Sequence, residues 1–274
     1  GRARGKRPRL GRNAAGLVTT ARTMQQNTPA MQKAGVFFIF SLTLPAIKTN
    51  EKNTGKGMKH FNTVIFDLDG TLLNTLTDLH LSVNKALAEG GFPARTESEV
   101  RSALGNGYHY LMEHCAPAGT EERKIKEILA VFEDYYYRHS MDNTRPYDGI
   151  PETIDLLNAK GFKMAIVSNK GMKAVKELAR HFFGDSIGIA IGESEKVRRK
   201  PAPDSVAEAM SLLGSTKKET LYVGDSEVDI ATAKNAGIDC LSVSWGFRTR
   251  EQLIASGATD IIDRPSQIAA FLGL

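Results

Sequence analysis

The segment that most constrains this chain is the run Val-Ile-Phe-Asp-Leu-Asp-Gly-Thr-Leu at residues 64–72. Its first residues are apolar, and β-branched or aromatic, which is typical of a buried strand in a parallel sheet. Asp67 and Asp69 follow the strand, and Gly70 allows the chain to turn away. Two carboxylates this close repel each other unless a cation lies between them, and oxygen ligands favour Mg²⁺. The segment therefore predicts an acidic magnesium site where open α/β sheets place their active sites, with a surface turn as the alternative.

Charge is segregated along the 274 residues of the chain. Residues 1–57 carry 11 Lys and Arg and one acid, Glu51, a net charge of +10. Residues 58–274 carry 25 Lys and Arg against 30 acids, a net charge of −5. The overall charge of +5 therefore comes from the amino-terminal segment, and the acidic body is not predicted to bind nucleic acid. A hydrophobic content of 41% is enough for a well-packed core.

The basic segment 1–57 is predicted to be a disordered tail, because its charged run has no apolar periodicity. Its apolar stretch, residues 36–47, is too short to span a bilayer as a helix, so no membrane association is expected. Met58 stands just before the first strand and is a natural start for the folded protein. We expect the tail to be non-native or dispensable, with a targeting segment as the second interpretation and an RNA-binding arm as the third.

The two cysteines, Cys115 and Cys240, lie far apart and lack metal-ligand spacing. This usage predicts a reducing compartment, the cytoplasm, and no disulfide framework.

A helical insertion follows the first strand. Apolar residues recur at helical spacing from Leu76 onwards until Gly90 and Gly91 interrupt the pattern. Further helices are predicted at 97–104, 108–115 and 121–139, and no strand is predicted between about 76 and 142. We therefore predict an all-helical domain at residues 76–145.

Strands and helices alternate again from residue 146, which predicts an α/β fold with a doubly wound parallel sheet built from 58–75 and 146–274. Further strands are expected at 163–167, 187–191, 220–223, 238–243 and 260–262. The intervening helices are expected at 152–159, 173–181, from about 204 to 213, 228–235 and 266–272.

Polar residues follow three of these strands. Ser168 and Asn169 place a hydroxyl and an amide where they can donate to a phosphate oxygen, and Lys200 supplies a positive charge held by the following proline. Asp225 and Asp229 add two carboxylates after a later strand, four residues apart on one helix face. Each feature alone also fits a turn, a surface lysine or a helix cap. Their common position at strand ends favours a site.

Together these motifs resemble the haloacid dehalogenase (HAD) superfamily. The segment Asp67-Leu-Asp-Gly-Thr71 is similar to its first motif, Ser168 to its second, Lys200 to its third and Gly224-Asp-Ser-Glu-Val-Asp229 to its fourth. The resemblance runs from about residue 60 to the end and implies a Rossmann-like core with a helical C1 cap between the first two motifs. Asp69 excludes the dehalogenase branch, which lacks the second aspartate.

The resemblance implies a Mg²⁺-dependent phosphatase acting through an aspartyl-phosphate on Asp67. Mg²⁺ would be bound by Asp67, Asp225 and the backbone carbonyl of Asp69, and Asp229 would steady its water shell. Asp69 would act as general acid and base. The resemblance also implies that Thr71, Ser168 and Lys200 hold the phosphoryl group and that the cap residues Gly105, Asn106 and Gly107 read the leaving group.

Within the superfamily the chain looks most like phosphoglycolate phosphatases. The supporting segments are Ser168-Asn-Lys170, Leu104-Gly-Asn-Gly107 and Val243-Ser-Trp-Gly-Phe-Arg248. The expected partner is a small phosphorylated metabolite, and the expected state is a monomer or homodimer.

Other functions share the same catalytic residues. A pyrophosphatase, a sugar phosphatase and a β-phosphoglucomutase remain open, and a phosphonate hydrolase would need a cap lysine such as Lys85, Lys124 or Lys126. A regulatory module on an inactive scaffold is the alternative from a different class, which the intact set of acids disfavours.

Overall fold

The protein is described by a computed structural model that covers residues 60–195 and 197–274. The predictions made for the basic tail lie outside these residues. In chain order the strands are β1 (Thr63–Phe66), β2 (Leu73–Asn74), β3 (Arg145–Pro146), β4 (Lys163–Gly171), β5 (Ile189–Glu193), β6 (Thr220–Gly224), β7 (Asp239–Val243) and β8 (Asp260–Ile262).

In the described chain, six of these strands form one parallel sheet in the order β5-β4-β1-β6-β7-β8. The chain moves outwards from β1 through β4 to β5 and then crosses to β6 on the other side of β1. The order of strands therefore reverses beside β1, and such a reversal opens a crevice at the carboxyl ends of the strands. The predicted doubly wound α/β sheet is confirmed.

Strand β1 is buried on both faces, as its uninterrupted apolar sequence predicts. Val64 and Phe66 point into one apolar cluster, and Ile65 points into a second cluster on the opposite face. Because side chains alternate along a strand, this register is fixed by burial on both sides. The central strand is thus held firmly in the sheet, and this fixes the position of the residues that directly follow it.

The helices on both sides of the sheet and in the insertion account for much of the remaining chain. They are α1 (Leu76–Glu89), α2 (Glu97–Ser102), α3 (Gly107–Cys115), α4 (Glu122–His139), α5 (Ile150–Ala159), α6 (Met172–Phe183), α7 (Asp204–Leu213), α8 (Glu227–Ala236), α9 (Arg250–Ala255) and α10 (Ser266–Phe271). In the parts of the chain that the structure covers, no helix has the length and apolarity needed to cross a bilayer.

Helices α1 to α4 lie between β2 and β3 and contribute most of an apolar cluster of their own. Leu79, Val83, Phe132 and Tyr136 are among its most buried members. Their spacing within α1 and α4 is that of one helix face, which explains why these helices pack on each other. We call α1–α4 the helical insertion.

Two short connections join the helical insertion to the sheet, and they pair with each other. Strands β2 and β3 form an antiparallel ladder in which Leu73 faces Pro146. The buried carboxylate of Asp78, in the first turn of α1, accepts hydrogen bonds from the backbone N–H groups of Asn143 and Thr144 at 2.8 to 3.0 Å. The outgoing and returning connections are therefore fastened together.

Several details of the fold differ from the sequence-based prediction. Strand β4 does not end at residue 167 but continues to Gly171, because Gly171 pairs with Glu193 of β5. Helix α9 was not predicted. The pairing of β2 with β3 was also not foreseen, because each is only two residues long.

Candidate active site

Asp67 lies at the point where β1 ends and is 6% exposed. Its backbone N–H donates to Val223 O at 2.9 Å, which extends the pairing of β1 with β6 by one residue. Its Oδ1 accepts a hydrogen bond from Lys200 Nζ at 2.6 Å. The rigid central strand therefore presents one carboxylate, already paired with a cation, at the crevice.

Asp225 and Asp229 complete a cluster of buried carboxylates with Asp67. Within the described residues, one carboxylate oxygen from each of the three lies within 4.8 Å of the others. Asp225 follows β6 and accepts hydrogen bonds from Thr71 Oγ1 at 3.0 Å and from Phe247 N at 2.7 Å. Asp229 stands in the first turn of α8, where its Oδ2 bonds the Ser226 N–H and hydroxyl.

The electrostatics of this cluster fit a divalent cation. Burial raises the pKa of Asp67 well above its usual range, against the opposing effect of Lys200. Burial, reinforced by the nearby Asp229, raises the pKa of Asp225 to about 7. Both shifts mean that ionising these buried carboxylates is costly in the metal-free protein, and a bound cation would offset that cost. Oxygen donors at this spacing are the ligand set that Mg²⁺ prefers, so the residues present fit the predicted ion.

Gly70 lies against this cluster and is required for it. It has φ of +88°, and a Cβ at this position would stand 2.4 Å from a carboxylate oxygen of Asp225. Only glycine allows both the left-handed backbone and the close approach. The turn after β1 is thus built around the position of Asp225.

Lys200 is enclosed by four oxygen atoms. Its Nζ donates to Asp67 at 2.6 Å, Asp229 at 2.7 Å and the Tyr222 hydroxyl at 3.0 Å, with Val167 O at 3.3 Å. Burial alone would lower the pKa of this lysine, but the two carboxylates outweigh it and hold the pKa well above the usual value. Lys200 is therefore a permanent cation beside Asp67.

Asp69 faces away from the carboxylate cluster. Its Oδ1 accepts a hydrogen bond from Thr75 Oγ1 at 2.7 Å and lies 3.0 Å from Lys170 Nζ. Lys170 is itself buried, and burial lowers its pKa despite the neighbouring Asp69. The two aspartates of the first motif thus occupy different environments, one beside the carboxylates and one beside Lys170.

Ser168 and Asn169 occupy the end of β4. The Ser168 hydroxyl lies at the cavity and accepts from Lys170 N at 3.2 Å. The Asn169 amide is already engaged, because its Oδ1 accepts from Lys200 N at 2.7 Å and its Nδ2 donates to Lys200 O and Gly105 O, both at 2.9 Å. The Thr71 hydroxyl is likewise turned to Asp225.

The segment Leu104–Asn106 of the helical insertion is fastened to the sheet by three consecutive carbonyl groups. Leu104 O accepts from Arg248 at 2.9 Å, Gly105 O from Asn169 at 2.9 Å, and Asn106 O from Arg199 at 3.0 Å. Asn169 lies near the end of β4, and Arg199 and Arg248 lie in two loops that follow β5 and β7. We call this arrangement the carbonyl latch.

The carbonyl latch covers a cavity of about 50 Å³. Asp67, Asp69, Ser168, Lys200 and Asp225 line its floor, and the insertion side includes Gly105, Gly107 and Tyr108. A Cβ at Gly107, which has φ of +83°, would lie 3.1 Å from both Arg199 and Glu193. The predicted site residues are therefore brought together, apart from Thr71, Asn106 and Asp229, which do not line the cavity but bond to residues around it.

Some residues at the site carry no signal in the sequence. Tyr222 is indistinguishable from an ordinary core aromatic of β6, yet its hydroxyl contacts both Lys200 and Asp229. Arg199 precedes Lys200 in a run of basic residues that is typical of a surface. The lysines considered for a phosphonate hydrolase lie instead on the outer face, where Lys85, Lys124 and Lys126 pair with glutamates.

The sheet carries buried carboxylates at the ends of the adjacent strands β1 and β6, with Lys200 reaching them from the loop after β5. This arrangement, with an inserted helical layer, defines an α/β enzyme of the doubly wound class. The sequence profile of the haloacid dehalogenase-like hydrolases matches residues 64–243. The chain belongs to this family, as its four motifs predict.

Individual relatives agree with this assignment. The phosphoglycolate phosphatase of Pseudomonas putida is 31% identical over 206 residues, which cover 73% of this chain and 75% of the relative. The phosphoglycolate phosphatase of Vibrio parahaemolyticus is 32% identical, and the match covers 75% of this chain and 93% of the relative. A crystal structure from Lactobacillus delbrueckii, provisionally named a phosphoglycolate phosphatase, has a TM-score of 0.75 and 33% identity, and the match covers 78% of this chain and all of that one. The predicted enzyme class, a hydrolase similar to phosphoglycolate phosphatases, is confirmed.

Proposed function

We propose that this protein is a Mg²⁺-dependent phosphatase that hydrolyses a small phosphate monoester of the phosphoglycolate type through an aspartyl-phosphate on Asp67. The observation that carries the proposal is the buried cluster of Asp67, Asp225 and Asp229, with Lys200 in contact with two of its members. The relatives named phosphoglycolate phosphatase support the substrate class.

Asp67, Asp225 and Asp229 would hold the magnesium ion, and the family resemblance adds the backbone carbonyl of Asp69. When bound, Mg²⁺ offsets the negative charge that the phosphate dianion and the carboxylates bring together. Thr71 and Phe247 keep Asp225 in place for this purpose through its two oxygens. Asp229 also bonds Lys200, so it links the metal site to the cation beside the nucleophile.

Asp67 is the proposed nucleophile. One of its carboxylate oxygens, Oδ1, is bonded to Lys200, which leaves the other to attack phosphorus. The new bond joins Asp67 to phosphorus as the bond from phosphorus to the leaving oxygen breaks. Lys200 and the Ser168 hydroxyl lie where they can stabilise charge on the phosphoryl group.

Asp69 is the proposed general acid and base. Thr75 and Lys170 both contact its Oδ1, so its Oδ2 is available to carry the proton. Asp69 gives this proton to the leaving oxygen and then takes one from the water that hydrolyses the aspartyl-phosphate. The separate surroundings of Asp67 and Asp69 match these separate roles.

We propose that residues 76–145 act as a cap on a core made of 58–75 and 146–274. The helical insertion has its own apolar cluster, and the carbonyl latch fastens its 104–106 segment over the cavity. A closed cap would exclude water and bring the insertion against the leaving group.

The test is a screen for phosphate release with phosphoglycolate, pyrophosphate, sugar phosphates and nucleotides, with and without Mg²⁺. We expect phosphoglycolate to have the highest kcat/KM and every activity to need Mg²⁺. A higher kcat/KM with pyrophosphate or a sugar phosphate would leave the proposed mechanism standing and show that the proposed substrate is wrong. Transfer of phosphate to a sugar faster than to water would identify a mutase, and inactivity on all substrates would contradict the proposal.

The carbonyl latch predicts a graded kinetic effect. Arg199→Ala removes the donor to Asn106 O, and the loss of one charge-assisted hydrogen bond is expected to raise KM by about 3- to 10-fold. We expect kcat to change less, because Arg199 lies outside the cavity lining. Initial-rate kinetics would measure both constants.

Arg198→Ala is the matched control. Arg198 is the adjacent residue. Its side chain is 77% exposed, and its guanidinium is bonded to Asp204 rather than to the insertion. Identical kinetics for the Arg199→Ala and Arg198→Ala variants would show that the carbonyl latch does not contribute to binding.

A further inference from the structure

Lys170 is a buried cation that lines the cavity on the side of the helical insertion. Its side chain is 1% exposed, and its Nζ lies 3.0 Å from Asp69 and 2.7 Å from the Tyr136 hydroxyl. Its other close contacts are with the rings of Tyr136 and Tyr108. An ammonium group has three donors, and within the described residues two of them are used. The third is available to a ligand in the cavity.

Tyr108 provides a second unused donor beside Lys170. Its ring packs edge-on against Phe132 and Tyr136, with centroids 4.9 and 5.9 Å apart, and its centre lies 5.6 Å from Lys170 Nζ. Its hydroxyl is buried and has no hydrogen-bond partner in the described chain, although the residue lines the cavity. Because buried hydroxyl groups in proteins nearly always have partners, this hydroxyl is a donor that a ligand oxygen could accept from.

The other cations at the cavity are bonded mainly to groups of the protein. Lys200 is bonded to Asp67 and Asp229, and Arg248 is bonded to Glu227, to Leu104 O of the carbonyl latch and to Arg101 O. In the described chain, Lys170 is the cavity-lining cation that combines an unused donor with a contact to Asp69.

Lys170 also lies at a suitable distance from the reacting atoms. If Asp69 protonates the leaving oxygen, that oxygen must come within about 3 Å of its carboxylate. Lys170 Nζ is 3.0 Å from the same carboxylate. A group one or two bonds beyond the leaving oxygen can therefore reach Lys170.

We propose that Lys170 and the Tyr108 hydroxyl form a subsite for a carboxylate on the carbon next to the leaving oxygen. The inference rests on the proposed function and narrows it to monoesters of short 2-hydroxy acids, of which phosphoglycolate is the smallest. The carboxylate accepts from the third donor of Lys170 and from the Tyr108 hydroxyl. Lys170 and Tyr108 are thus specificity-determining residues that contact the part of the substrate that leaves.

The test compares phosphoglycolate with ethyl phosphate, which has the same two-carbon leaving group without the carboxylate. For the Mg²⁺-loaded enzyme we expect kcat/KM to favour phosphoglycolate. Lys170→Met should lower this preference by about 100-fold, because a site built to bind a polar group discriminates strongly through it. Lys173→Met, which changes an exposed lysine three residues along, is the control and should keep the preference.

Tyr108→Phe provides a second test that does not depend on the folding of the Lys170 variant. Its hydroxyl has no protein partner, so its removal should leave Tm unchanged or raise it. We expect the preference for phosphoglycolate to fall by about tenfold. A role in packing alone would predict no change in preference.

The outcomes separate the subsite from the proposed function. Equal losses on both substrates in the Lys170→Met and Tyr108→Phe variants would overturn the subsite and leave the phosphatase intact. So would a wild-type enzyme that hydrolyses both substrates equally well. A wild-type enzyme that hydrolyses no phosphate monoester would overturn both proposals.

Discussion

Asp67→Asn is expected to lower kcat by about 10⁴-fold or more, because the amide is a poor nucleophile and the neighbouring Asp225 and Asp229 are held by hydrogen bonds of their own. Asn has the same shape as Asp, so the buried site should still fold. The substitution removes one of the three clustered charges and weakens the contact with Lys200. These two effects oppose each other, and we expect a shift in Tm of only a few degrees.

Rates of phosphate release and thermal unfolding curves would be measured for this variant together with Asp142→Asn. Asp142 is an exposed aspartate bonded to His139, remote from the carboxylate cluster, and its replacement should leave kcat unchanged. Turnover by Asp67→Asn within tenfold of the wild type would contradict the nucleophilic role.

Removal of Mg²⁺ is expected to abolish activity, and Mg²⁺ but not Ca²⁺ should restore it. Ca²⁺ takes more oxygen ligands in a looser geometry than Mg²⁺. Asp67 has a second oxygen to offer such an ion, and an aspartate that gives both oxygens to a metal cannot attack phosphorus. Full activity in an excess of chelator would exclude the metal-assisted scheme.

Adding Mg²⁺ is also expected to change the thermal stability of the protein in a pH-dependent way. The pKa of Asp225 is raised to about 7, so the folded metal-free protein binds this proton more tightly than the unfolded chain does. The protonated Asp225 carboxyl group therefore contributes to the free energy of unfolding at low pH, and this contribution is lost as the pH rises from about 4 to about 7. Mg²⁺ bound to the ionised carboxylates should recover it, so the rise in Tm on adding Mg²⁺ should be larger at pH 8 than at pH 5. An equal rise at both pH values would show that the ion binds elsewhere.

The sequence was most informative where a single short segment determines both structure and chemistry. The apolar run of β1 predicts a buried central strand. Burial on both faces fixes the register of this strand, which in turn fixes the position of Asp67 directly after it. The helical insertion was also predictable, since α1 and α4 each carry a periodic apolar face. In both cases the information is local.

Residues that act through distant partners could not be predicted in the same way. Asn169 was expected to donate to phosphate, but its amide bonds residues 31 and 64 positions away. Arg199 and Arg248 meet the 104–106 segment only because the helical insertion folds back over the sheet. Lys170 supported the resemblance to phosphoglycolate phosphatases, but the sequence predicted no role for it. Its contacts with Asp69 and Tyr136 depend on the extension of β4 and on the packing of α4.

The formation of an aspartyl-phosphate on Asp67 can be measured directly. The enzyme is mixed with Mg²⁺ and phosphoglycolate, quenched in acid during the first turnover and reduced with borohydride, which converts a phosphorylated aspartate to homoserine. We predict that peptide mass spectrometry finds homoserine at position 67, and at no other aspartate, in samples quenched before the steady state. Phosphate release in the first turnover without any modification of Asp67, or with modification of another carboxylate, would contradict the account.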